Sequence, residues 1–118
     1  QATRDFVDVR DVAEAVLRVT CAVPPSGDAP VLNVATGVET SVLELARRLV
    51  EVSGREVRIV DGGRQDSRTG IERSCGDSGR LRSTTGWEPA IDLRTTLADV
   101  WRHTAHASGA ARAARQGA

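Results

Sequence analysis

The sequence predicts an α/β fold with short parallel strands and about four helices. Three observations carry this. Between Arg4 and Leu17 the hydrophobic period switches from two to 3.6 without an intervening loop. Between Val31 and Val60 an apolar run, a capped amphipathic stretch and a second apolar run follow one another. Beyond Gly76 two further helical stretches are marked by their own caps.

The first element is a strand. Arg4 to Val9 alternates polar and apolar, with Phe6 and Val7 its bulky members. A helix then runs from Val9 to Cys21 or Ala22. Val9, Val12, Ala13, Val16, Leu17 and Thr20 fall on one face of it. Asp8 is placed to cap it, and Asp11 and Glu14 put negative charge where the helix dipole favours it. Pro24, Pro25, Gly27 and Pro30 then break the chain. Val31–Ala35 (VLNVA) reads as a buried parallel strand, and Thr36–Glu39 as the turn out of it. Ser41 and Glu44 form a capping box for the second helix, whose inward face is Val42, Leu45, Ala46, Leu49 and Val50. Gly54 ends that helix, and Glu56–Val60 (EVRIV) reads as a strand. The right-handed crossover rule makes the two strands flanking the helix parallel.

Asp61–Gly76 shows no periodicity and is rich in Gly, Arg, Asp and Ser. A loop this long in a compact domain is usually functional or disordered. Asp77 or Ser78 then caps a short helix through Thr84, with Leu81 inward and Gly86 as its stop. Trp87, beside Pro89, is expected to anchor the core. Asp92 caps a last helix from Leu93 to about Ala105, with Leu93, Leu97, Val100, Trp101 and Thr104 on one face. Residues 1–106 therefore form the folded domain, and the Ala/Gly/Arg-rich stretch 107–118 is expected to be frayed helix or disorder.

Composition narrows the function. The 118 residues are 40% hydrophobic and 27% charged, with a formal net charge of zero. That balance offers no nucleic-acid or anionic-membrane surface. No apolar run approaches the ~18 residues of a membrane span, and no signal peptide is evident. Two cysteines, Cys21 and Cys75, lack metal-type spacing and are read as reduced thiols, placing the protein in the cytoplasm. His103 and His106 lie three apart without partner ligands, so no metal is expected. The chain has no Met, so it is expected to be a processed piece or a domain of something larger. It has no Tyr, and all sixteen basic residues are Arg. Chemistry that needs a Lys or Tyr is excluded from it.

Arginine is the candidate functional residue type, because its guanidinium fork matches phosphate geometry. Arg4, at the strand end that feeds the first helix, is well placed to hold an anion; the alternative is a surface pair with Asp5 or Asp8. Arg64, Arg68 and Arg73 lie in the long loop, either as a solvated basic segment or as an anion-binding loop facing Arg4.

Five stretches in order, RDFVDVRDVAEA, LNVATG, TSVLELARRLVEVSG, GDSGRLRSTTGWEP and LRTTLADVW, resemble the C-terminal part of the extended short-chain dehydrogenases/reductases. These are the NAD-dependent nucleotide-sugar epimerases, dehydratases and ketoreductases. The form of RDFVDVRDVA and of GDSGRLRSTTGWEP looks closest to the GDP-mannose 4,6-dehydratase and GDP-4-keto-6-deoxymannose reductase branch. The resemblance implies a lobe that binds a nucleotide sugar. Arg4 would contact the pyrophosphate and Phe6 would lie by the nucleotide. A second Arg would clamp the phosphates from the loop, Arg68 by its distance to Asp77 or otherwise Arg64. The acidic residue that holds the ribose would be Glu72 or Asp66, because GRQDSRTGIER departs from the family pattern here. The family's Gly-rich NAD(P) turn and its Tyr/Lys dyad belong to an N-terminal Rossmann half. The resemblance therefore implies no catalysis by this chain alone, no cofactor within it, and NAD or NADP in the parent enzyme. A rival reading is a stand-alone or degenerate interaction module that self-associates, as a dimer for example, or pairs with a separate Rossmann chain. A third is a small structural domain with no ligand.

Overall fold

A computed structural model describes residues 2–22, 30–60 and 72–116, with side chains through Ala105. It holds strand β1 (Thr3–Asp5), helix α1 (Val9–Ala22), strand β2 (Glu39–Ser41), helix α2 (Val42–Ser53), strand β3 (Arg73–Ser74), helix α3 (Gly79–Thr85) and helix α4 (Leu93–Gln116). The fold is mixed α/β with four helices.

The strands form one small sheet in the order β2-β1-β3. β1 pairs with β2 antiparallel, with Arg4 opposite Thr40, and with β3 parallel, with Arg4 opposite Ser74. Two of the strands therefore lie where the sequence marked a turn and a structureless loop. β2 is short because Ser41 is both its last residue and the N-cap of α2; its extended backbone (φ −73°, ψ 152°) serves both roles. A cross-strand cluster holds the sheet. The Thr3 hydroxyl donates to Glu39 (2.9 Å), and Arg73 pairs with the same carboxylate from the other side of β1.

Val31–Ala35 and Glu56–Val60, expected as strands, join no ladder among the described residues. Their side chains explain it. Leu32 and Val34 pack toward the core, but Val31, Val57 and Val60 are exposed, and no described strand lies alongside either segment to accept its backbone. The expected parallel pair around α2 is accordingly not formed.

The core is Ala15, Leu81 and Trp87, with Val19, Leu32 and Val34 packed against it. Trp87 and Leu81 are fully buried, as their sequence positions predict. The Trp87 indole N–H donates to the Asp11 carbonyl in α1 (2.9 Å). The Asp11 carboxylate accepts the backbone N–H groups of Ala90 (3.2 Å) and Ile91 (3.0 Å). One residue of the first turn of α1 thus fixes the whole Trp87–Ile91 connection.

This overturns the predicted face of α1. Asp11 and Ala15 are buried and Val12 and Val19 half-buried, whereas Val9, Val16 and Leu17 are exposed (58% for Val16, 62% for Leu17). Among the described residues the apolar stripe of the helix faces outward. The caps follow expectation better. Asp8 accepts from the Arg10 N–H (2.9 Å), Ser41 from Glu44 N–H (3.1 Å), and Asp92 from Thr95 N–H (2.7 Å). Glu44 does not reach back to Ser41; it pairs with Arg48 one turn on. Gly54 and Gly86 end their helices in the left-handed conformation that glycine adopts without strain. Ser78 caps α3 without a side-chain bond, and Asp77 takes the Gly79 N–H instead. α4 continues past Ala105 to Gln116, through a stretch rich in the strong helix formers Ala and Arg.

Candidate functional site

β1 is the centre of the sheet, so Arg4 is flanked on both sides by strands. Its side chain is half-buried, and Nη1 donates to the Thr3 carbonyl (2.7 Å). Neither carboxylate that could have neutralised it does so. Asp5 accepts from Thr36 N–H (3.0 Å), the Thr36 hydroxyl (2.5 Å), Gly37 N–H (2.9 Å) and Gly76 N–H (3.3 Å). Asp8 is held by Arg10 Nε (2.9 Å) and Nη2 (2.8 Å) and by the Thr96 hydroxyl (2.7 Å), which ties the start of α1 to α4. Arg10 also reaches Asp99 (2.8 Å). The Arg10 guanidinium holds Asp8 well below the usual carboxylate range against its burial, with the Thr96 hydroxyl adding to it. Among the described residues, Arg4 pairs with no carboxylate.

A cavity of about 330 Å³ opens between Phe6, Thr40 of β2 and the Pro89–Leu93 segment. Phe6, Val38, Ile91 and Leu93 give it apolar walls, and Thr40, the cross-strand partner of Arg4, lines it too. Arg48 and Asp92 supply polar edges. An aromatic wall and hydroxyls suit a planar ligand, and the Arg48 guanidinium at the margin is already paired with Glu44. A larger cavity of about 750 Å³ lies between the β1–α1 junction and α4. Its carboxylates Asp8 and Asp99 are already engaged by Arg10, so they are committed to structure.

The predicted residues fare differently. Arg4 stands opposite Thr40 in the sheet, and Phe6 lines the same cavity as Thr40. Glu72 is exposed, and its carbonyl accepts the Thr3 N–H (2.9 Å), which brings the loop's return to β1 one residue from Arg4. Arg64, Asp66 and Arg68 lie outside the described residues. Arg73 is spent on Glu39. Sequence reasoning missed Asp5, which it considered only as an ion-pair partner for Arg4. The signal available was the pair of glycines that meet it. Gly37 has φ +79°, and a Cβ on Gly76 would fall 2.4 Å from that of Ala35.

A dinucleotide pyrophosphate is held by a glycine-rich strand-to-helix turn. The β1–α1 connection Phe6–Asp8 and the β2–α2 junction at Ser41 carry no glycine, whereas β3 reaches α3 through Cys75–Ser78, which includes Gly76. Cys21 and Cys75 are exposed free thiols. No cluster of three metal-ligating side chains exists among the described residues, and none of their helices is long and apolar enough to cross a membrane.

No family profile matches the chain. Individual proteins do. It is 36% identical over 96 residues to the GDP-6-deoxy-D-mannose reductase of Pseudomonas aeruginosa, covering 80% of this chain and 30% of that protein. The structure of RMD from Pseudomonas aeruginosa complexed with NADPH superposes with a TM-score of 0.73 at 33% identity, over 86% of this chain and 32% of that one. A UDP-glucose-4-epimerase from Stenotrophomonas maltophila, with bound NAD and formylated UDP-arabinopyranose, superposes at 0.79 and 30% identity, over 93% and 32%. The chain belongs to the NAD-dependent epimerase/dehydratase family of extended short-chain dehydrogenases/reductases, and it matches the C-terminal part of its relatives. It spans about 30% of their length.

Proposed function

We propose that the chain is the nucleotide-sugar-binding lobe of an NAD(P)-dependent epimerase, dehydratase or reductase, and that it is not catalytic alone. Arg4 holds the pyrophosphate, Phe6 flanks the nucleotide, Arg68 or Arg64 closes on the phosphates from the loop, and Glu72 or Asp66 meets the ribose. The observation that supports this most is the state of Arg4. Its two neighbouring carboxylates are occupied elsewhere, and it stands in the sheet opposite Thr40, which lines the cavity walled by Phe6. In the parent enzyme NAD or NADP would exchange a hydride with the sugar. This lobe's part is to fix the nucleotide end so that the sugar is oriented for reaction. The lack of Tyr and Lys supports a binding role for this chain.

Titration of GDP-mannose, UDP-glucose and dTDP-glucose, followed by calorimetry, tests the reading. Binding of one of them, lost in Arg4→Ala, is the expected result. No binding of any at millimolar concentration overturns it for the isolated chain.

A second reading, an interaction module that self-associates or pairs with a separate Rossmann chain, draws on a different observation. The outward stripe of α1 and the unladdered segment 31–35 leave apolar side chains and backbone groups open to a partner. Under that reading the chain is dimeric, or captures a Rossmann domain, without binding a nucleotide sugar.

A further inference from the structure

We infer that Asp5 is the positioning residue of the Arg4 site; this rests on reading Arg4 as an anion contact. Asp5 follows Arg4 in β1, so the two side chains leave opposite faces of the sheet. Arg4 is available to a ligand, whereas Asp5 faces protein. Its two oxygens collect four N–H and O–H donors from two other parts of the chain, with the Cys75 thiol a fifth, longer contact to Oδ2. Oδ1 takes the Thr36 N–H and hydroxyl, and Oδ2 takes the N–H groups of Gly37 and Gly76.

Those donors are not scattered. The Thr36–Gly37 turn leads into β2, whose Thr40 stands opposite Arg4 on one side. Gly76 follows β3, whose Ser74 stands opposite Arg4 on the other. One carboxylate therefore fastens the chain next to both strands that flank the guanidinium. Three-residue and two-residue strands have little ladder of their own to hold register. Arg4 itself is tied only by its bond to the Thr3 carbonyl among the described residues. The walls around the guanidinium are thus set by the residue beside it in sequence and behind it in space.

The glycines support this. Gly76 sits so near Ala35 that any side chain there would force one of the two segments to shift. Burial pushes the Asp5 carboxyl up. The Thr36 hydroxyl and the N–H groups of Gly37, Thr36 and Gly76 outweigh it, so Asp5 stays ionised below the ordinary 3.8. An amide cannot replace it, because its NH2 would confront backbone N–H groups that need an acceptor.

The test uses the chain, Asp5→Asn and Thr36→Val, with UDP and GDP titrated separately and followed by NMR. In the unliganded Asp5→Asn chain the Arg4 Nε–H resonance is expected to move and the Gly37 and Gly76 amides to lose exchange protection. The Trp87 indole N–H, in the core beneath α1, should stay. Nucleotide affinity is expected to fall about tenfold, as for loss of charge-assisted hydrogen bonds. Thr36→Val removes one donor to Asp5 and the acceptor of the Val38 N–H, and should weaken binding about two- to threefold; it decides the matter if Asp5→Asn does not fold. An unmoved Arg4 resonance or an unchanged affinity overturns the inference alone. A shifted Trp87 indole with general loss of protection also overturns it, since that marks a merely structural role. Failure of the unaltered chain to bind UDP or GDP removes the anion site itself, and the inference with it.

Discussion

The two faces of α1 make opposite use of the same helix. Its inner face is built around a polar residue, Asp11, and a small one, Ala15, both buried. Its outer face carries Val9, Val16 and Leu17, all exposed. By hydrophobicity the assignment should be reversed. What decides it is hydrogen-bond satisfaction: the Asp11 carboxylate accepts two backbone N–H groups of the Ala90–Ile91 connection, and its backbone carbonyl accepts the Trp87 indole. A buried carboxylate that satisfies two backbone donors fixes this connection in a way an aliphatic side chain could not. The outer stripe is apolar without being core.

The largest effect should come from breaking the inner face. Trp87→Ala removes a fully buried indole and is expected to cost about 3–5 kcal/mol, enough to unfold much of a small domain. Urea unfolding monitored by circular dichroism checks it. Trp101 is the internal control. It is half-buried in α4 with the Arg55 guanidinium 5.5 Å above its ring, so Trp101→Ala should cost clearly less. Equal losses would mean that α1 and Trp87 do not form the dominant core.

A middle-sized effect should come from acid at the start of the same helix. Asp8 caps α1 and joins it to Thr96 of α4. Its folded pKa lies below the unfolded value near 3.8, so its stabilisation is present above that pH. It is lost as the pH falls from about 4 toward the folded pKa. Charge-assisted hydrogen bonds of this kind contribute about 1.5–3 kcal/mol. Unfolding curves between pH 7 and pH 2.5 should therefore fall more steeply for the unaltered chain than for Asp8→Asn. Parallel curves would show that the Asp8–Arg10–Thr96 cluster contributes little.

How much of this was legible follows from the kind of interaction involved. Helix positions and caps were, because Asp8, Ser41, Asp92, Gly54 and Gly86 act through local geometry written within a few residues. Leu81 and Trp87 as core were legible for the same reason. The pairing of strands was not. Val31–Ala35 looks like a better strand than Glu39–Ser41 by composition, but a strand exists only with a partner, and the partner of β1 was chosen by the Thr3–Glu39–Arg73 cluster. In the proposed site, Arg4 and Phe6 could be named from a motif, whereas Asp5 could not. Its partners lie 31, 32 and 71 positions away, and no local pattern announces them.

The smallest expected effect on stability is also the one that separates the two readings of the outer face. Leu17→Gln exchanges an exposed aliphatic side chain for a polar one of similar length and helix propensity. Surface changes of this sort usually alter stability by no more than about 0.5 kcal/mol. If the stripe of α1 is merely surface, Leu17→Gln should leave both the unfolding curve and the sedimentation behaviour of the chain unchanged. If the stripe is an interface, association should weaken while dilute-chain stability holds, and Val16→Ser should act in the same direction. Sedimentation equilibrium across a hundredfold concentration range distinguishes these. A large drop in stability at low concentration would contradict both, because it would place Leu17 inside a core from which its 62% exposure excludes it. The comparison between the faces of α1 would then have to be redrawn.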